Sequence, residues 1–111
     1  MGLKSFLQTI IASNMGDGWV TGGDYEHCSV SLGKLKDGTT KLSIVGVGQE
    51  LVYVEKSDVK EFAILETGAK WAKGNKNYVG NRYKVVLNNG KAFIISIIAN
   101  STSRYEAYFI L

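Results

Sequence analysis

The sequence predicts an α+β protein that is mostly β: an N-terminal helix, an antiparallel meander of six to seven strands and a short terminal element. Three observations carry this. Apolar residues near the start recur at helical spacing, residues from Asp24 onward alternate with a period of two, and two Gly-containing turns each lie between strand-like runs.

The helix is expected over residues 1–14. Leu3, Phe6, Leu7, Ile10 and Ile11 fall at i, i+3, i+4, i+7 and i+8, which makes one apolar stripe, and Asn14 and Gly16 are residues that end helices. The meander is expected over 24–98. In "YEHCSVSLGKL" Glu26, Cys28, Val30 and Leu32 form the more apolar set and are placed toward the core, opposite Tyr25, His27, Ser29 and Ser31. Asp37-Gly38 turns the chain into "KLSIVGV". "ELVYV" and "VKEFAIL" read as two further strands, the second with Val59, Glu61, Ala63 and Leu65 opposite Lys60, Phe62 and Ile64. "ETGAKWAKGNKNYVGNR" reads as an irregular stretch. "YKVVLNNGKAFIISII" reads as a hairpin about Asn89-Gly90, with positive φ expected at both residues. The tail "NSTSRYEAYFIL" fits a helix with Tyr105, Tyr108 and Phe109 on one face, and it equally fits an alternating strand.

Length and composition bound the rest. With 111 residues, 45% of them hydrophobic and 21% charged, the chain is expected to form one domain with a core of its own. Its longest apolar runs fall well short of the roughly 20 residues that a membrane-spanning helix needs. The N-terminus is read as mature sequence rather than as a signal peptide, because Gln8 interrupts its short apolar stretch. A single cysteine can close no internal disulfide, which suits a reducing, cytoplasmic setting.

The pattern from Lys34 to Leu111 resembles small bacterial pleckstrin-homology-like domains. "TTKLSIVGVGQELVYVEKSDVKEFAIL" is similar to their strand pair with its Ser-Asp-Val step, and "YKVVLNNGKAFIISI" to their late hairpin. The resemblance implies a strongly bent split barrel and a helix over 102–111 that plugs one open corner of it. It assigns no ligand, because function lives in sites placed on folds.

The densest stretch is "GDGWVTGGDYEHC", which holds four of the 13 glycines, a tryptophan, and the only histidine and cysteine. Its glycines precede a strand, whereas phosphate-binding loops precede a helix. His27 and Cys28 are neighbours whose side chains point apart on a strand, so they share no metal ion, and no cofactor is expected. Asp24, Glu26 and His27 are the residues a small enzyme would have to use. That is the weakest reading, since no nucleophile and base are spaced to act together.

Charge points elsewhere. Net charge is +3, yet residues 1–66 carry −3 and residues 67–111 carry +6, with no acid between Glu66 and Glu106. Lys70, Lys73, Lys76, Arg82 and Lys84, with Trp71 and Tyr78 among them, are the candidate ligand-binding residues of the segment 70–91. Such residues hold phosphates and other anions by charge and flat groups by stacking. The expected function is therefore a non-enzymatic binding module for an anionic ligand or a protein partner. Nucleic-acid binding by the same segment is the alternative, and a solvated lysine-rich loop is the plain structural one. Apolar strands at a sheet edge also permit a homo-oligomer.

Overall fold

In the computed structural model, which describes residues 16–110, the chain forms seven strands and one short helix. The strands are β1 (Gly18–Gly23), β2 (Ser29–Lys34), β3 (Thr40–Val45), β4 (Val52–Val54), β5 (Val59–Lys73), β6 (Lys76–Leu87) and β7 (Ala92–Ile98). Helix α1 (Thr102–Phe109) follows, and 3-10 turns at Lys56–Asp58 and Ala99–Ser101 introduce β5 and α1. No helix among the described residues is long and apolar enough to cross a membrane.

The α+β class is corrected to mostly β: α1 is the only α-helix among the described residues, and the helix expected over 1–14 lies outside them. The single meander expected over 24–98 is corrected too. All strands join one antiparallel sheet in the order β4-β3-β2-β1-β7-β6-β5, so β1 pairs with β7 and the consecutive strands β4 and β5 do not pair.

That order dictates the shape. Seven flat strands at about 4.8 Å spacing would hold β4 and β5 about 29 Å apart. The link from Val54 to Val59 has four residues between them and reaches at most about 19 Å. The sheet must therefore curl, and residues from both of its edges meet inside. Val54 of β4 is buried in the same cluster as Leu42, Ile44, Tyr83, Val85, Ile95 and Ile97, with Val59 and Phe62 of β5 packed against it. Asn88 ties the seam, donating from its backbone N–H to the Asp58 carbonyl (2.9 Å) and from Nδ2 to the Ser57 carbonyl (2.9 Å).

Helix α1 closes the remaining opening. Phe109 stacks on Phe62 at 4.5 Å between ring centroids, and Tyr105 is fully buried. Tyr108 Oη donates to the Thr40 carbonyl (2.9 Å) and accepts from the Lys56 backbone N–H (3.0 Å), so one side chain joins β3 to the turn between β4 and β5. The Tyr83 hydroxyl donates to the Glu106 carboxylate. Burial first, then Glu106, pushes the Tyr83 hydroxyl well above the usual phenol range.

Five local expectations change. The stretch read as a connection before the first strand contains strand β1, which glycine disguises; Gly18 is required because a Cβ there would lie 1.9 Å from the Ser96 carbonyl oxygen. Residues Asp24–His27, read as strand, form the β1–β2 turn, with Tyr25 (φ 63°) and His27 (φ 76°) in the left-handed region. The irregular stretch after Glu66 is the far end of a hairpin. Gly74-Asn75 is its two-residue turn, with Gly74 at φ 61° in the first central position, as a type II′ turn requires. The β5 strand has 15 residues against 12 in β6, and three register shifts absorb the excess. The first shift, at Lys60, turns both Val59 and Phe62 toward the core and cancels the alternation read for "VKEFAIL". At the late hairpin only Gly90 takes positive φ, and the loop is Asn88–Gly90, closed by Leu87 N–H to the Lys91 carbonyl.

Candidate functional site

The β5–β6 hairpin places the basic and aromatic residues. Residues directly opposite in an antiparallel ladder share a face, so the pairs Trp71↔Tyr78 and Lys73↔Lys76 stand side by side. Along β6, Tyr83, Val85 and Leu87 are buried and face the core. The alternate residues Lys76, Tyr78, Arg82 and Lys84 therefore face outward. Trp19 of β1 reaches this same outer face through the pairings Trp19↔Ser96 and Arg82↔Ser96.

Three rings meet there. Tyr78 lies 4.8 Å and Trp71 6.4 Å from Trp19, and Trp71 stacks across the hairpin on Tyr78 at 6.0 Å and 24°. Such pairs contribute about 0.5–1.5 kcal/mol each beyond their area. The cluster overlies Ala69 and Ser96, outer-face residues that are nonetheless fully buried. Lys73 Nζ sits 5.8 Å over the Trp19 ring. Trp71 Nε1 is buried without a hydrogen-bond partner among the described residues, an omission that costs about 1–3 kcal/mol.

The cations divide into three groups. Arg82 donates to Glu66 (3.0 Å) and to Ser96 Oγ (3.2 Å), and Lys84 pairs with Glu61 at 3.3 Å. Partly exposed pairs add little stability, but they cancel charge where it would attract a ligand. Lys70, opposite Val79, falls on the other face of the hairpin. Lys73 and Lys76 have no carboxylate within ion-pair distance among the described residues. Of the seven candidate residues, Trp71, Lys73, Lys76 and Tyr78 thus come together at the tip. Arg82 and Lys84 share the face but are paired, and Lys70 is separate. Trp19 is the residue that sequence reasoning missed. Only the β1–β7 pairing brings it there, and no local pattern announces a pairing across some 75 positions.

The acids and histidine of "GDGWVTGGDYEHC" do not assemble. Asp17 is buried and fully occupied: Oδ2 accepts from Leu32 N–H (2.9 Å) and the Tyr105 hydroxyl (2.9 Å), and Oδ1 accepts from Arg104 (2.8 Å) and Ser101 (3.2 Å). Burial first, then the Asp17 charge, pushes the Tyr105 hydroxyl far above the phenol range. Asp24 Oδ2 accepts from Ala92 N–H (2.9 Å), Glu26 and His27 are exposed on the turn, and Cys28 is buried, where burial raises its thiol. Among the described residues no group of three or more His, Cys, Asp or Glu side chains is placed to hold a metal ion. The chain matches no protein-family model, no curated protein and no solved structure.

Proposed function

We propose that this protein is a non-enzymatic binding module, working in the cytoplasm, that engages an anionic ligand or protein partner through the outer face of its β5–β6 hairpin. The observation that carries this reading is the pair Lys73 and Lys76, unpaired by acids among the described residues, beside the ring cluster Trp19, Trp71 and Tyr78. Two ammonium groups supply attraction, and a rigid aromatic surface supplies contact area at little entropic cost. The pleckstrin-homology-like resemblance belongs to the same proposal. It is supported by a helix packed across the side where β4 and β5 do not pair.

Single-stranded nucleic acid is the second reading, favoured by partly exposed rings directly beside the lysines. The test is retention on an immobilised polyanion. Lys73→Glu with Lys76→Glu should elute at clearly lower salt than the native chain, with an unfolding midpoint close to the native one, because both side chains are exposed and only the Lys73 contact with Trp19, worth about 0.5 kcal/mol, is lost. Equal retention rejects the reading. Titration with oligo-dT separates the alternatives: a nucleic-acid site with two phosphate contacts loses affinity with a log–log salt slope of about −1.4.

A further inference from the structure

A second site lies away from the hairpin tip. A cavity of about 320 Å³ opens at the seam of the curled sheet, bounded by β4, the end of β6 and the β1–β2 turn. Val54 and Leu87 supply apolar wall, Tyr25 and Tyr53 supply rings, and Asp58 and Asn88 supply polar groups. The volume lies at the small end of the range for small-molecule sites, and the lining mixes apolar and polar groups.

The polar atoms are only partly spent. Asp58 Oδ2 accepts from the Glu55 backbone N–H (2.9 Å), which holds the carboxylate in place. Oδ1 accepts nothing among the described residues, and Asp58 is in none of their ion pairs. Asn88 donates through Nδ2 to the Ser57 carbonyl, which leaves its Oδ1 as an acceptor. Both residues are exposed, so two acceptors, one of them charged, are accessible to a donor from solution.

Charge fixes the sign of that donor. Among the described residues Asp58 is the only charged side chain lining the cavity. Both tyrosine rings already attract ammonium groups: Lys41 Nζ lies 5.7 Å over Tyr53 and Lys91 Nζ 5.9 Å over Tyr25. Neither lysine lines the cavity. Tyr25 is held there in the left-handed region at φ 63°, a conformation that costs a non-glycine residue about 1–2 kcal/mol and gathers at ligand sites.

We propose that this cavity binds a small organic ammonium compound with an apolar body, the ammonium on Asp58 and the Asn88 carbonyl oxygen, the body against Val54, Leu87 and the two tyrosines. The probe is phenethylammonium, titrated into the full chain while backbone amide shifts are followed by NMR. Saturable shifts are expected at Val54, Asp58 and Asn88. The neutral isostere 2-phenylethanol should bind about tenfold more weakly, since a hydrogen bond to a charged group is worth about that factor or more. Phenylacetate should not bind. Asp58→Asn keeps an oxygen to cap Glu55 and should bring phenethylammonium down to the level of the alcohol. No saturable shifts at these residues, equal binding of amine and alcohol by the native chain, or unchanged affinity in the folded Asp58→Asn variant would each overturn the proposal.

Discussion

The stretch from Gly16 to Cys28 and the hairpin from Val59 to Leu87 are both rich in residues that do chemistry, and the fold uses them in opposite ways. In the first, Asp17 receives four donors and Asp24 receives the Ala92 amide. In the second, Lys73 and Lys76 keep their charge unpaired among the described residues, and three rings form an outward surface beside them. A crowd of polar residues in a sequence does not make a site. What decides is whether distant residues consume their polar atoms: three of the four donors to Asp17 come from 84 to 88 positions away.

The two regions share one constraint, and breaking it should have the largest effect. Gly18 and Gly80 press on β7 from its two sides. A Cβ at Gly18 would lie 1.9 Å from the Ser96 carbonyl oxygen, and one at Gly80 1.7 Å from that of Ile97. The obstacle is backbone, so no rotamer relieves it. Gly18→Ala and Gly80→Ala should each cost about 3 kcal/mol or more, read as a lower urea midpoint or as failure to fold. Gly33→Ala, where a Cβ meets nothing within 4 Å, should stay within about 0.5 kcal/mol of the native chain. Equal stability of Gly80→Ala and Gly33→Ala would refute the close strand crossing.

Next in size is Asp17→Ala. It strips an acceptor from the buried Tyr105 hydroxyl and from Leu32 N–H, and it leaves Arg104 with the Leu32 carbonyl and Ser101 Oγ but no carboxylate. The expected loss is about 3 kcal/mol. Lys73→Glu with Lys76→Glu should leave stability within about 0.5 kcal/mol, because both side chains are exposed. A small loss from Asp17→Ala would mean that the two regions differ less than their geometry indicates.

Alkaline pH probes the same buried hydroxyls. Tyr105 and Tyr83 are raised above the ordinary phenol value of 10.0, by burial first and then by Asp17 and Glu106 respectively. In the unfolded chain both lose their protons near pH 10, while the folded chain holds them. The stabilisation is therefore complete below about pH 10 and falls as pH rises above it, by about 1.4 kcal/mol per pH unit for each tyrosine. Urea midpoints between about pH 9 and pH 11 should show the fall, and Tyr105→Phe should halve its slope. A flat profile would place both hydroxyls in contact with solvent.

Local chemistry made part of this legible. Alternation placed Glu26, Cys28, Val30 and Leu32 inward; the last three are buried, while Glu26 is exposed on the β1–β2 turn. The remainder depended on pairings that leave no local trace. Strand β1 looks like a loop because Gly18, Gly22 and Gly23 carry no β propensity, yet Gly18 is glycine because β7 passes so close. The far half of β5 looks irregular because its register shifts break the period of two, each adding a residue that flips the face of those beyond it. The lysine-rich segment was visible as charge, but which lysines stay unpaired depends on Glu61 and Glu66, and these meet Lys84 and Arg82 only once the register is set.

The smallest expected effect separates the two regions most finely. His27, like its neighbour Glu26, is a conspicuous residue of the first stretch that the fold does not consume: it is exposed, and among the described residues its side chain makes no hydrogen bond or ion pair. What the fold uses is its backbone, at φ 76°, with N–H donating to the Val20 carbonyl (2.9 Å). A side chain in that conformation costs about 1–2 kcal/mol, while glycine adds unfolded-state entropy of about 0.5–1 kcal/mol in the other direction. His27→Gly should therefore raise stability by about 0.5 kcal/mol, and His27→Val, whose branched Cβ tolerates the left-handed region least, should lower it by about 1 kcal/mol. Binding to a polyanion should be the same in both. If His27→Gly instead destabilises the chain, the imidazole holds a contact that its exposure conceals, and the first stretch keeps a side chain in reserve as the hairpin does.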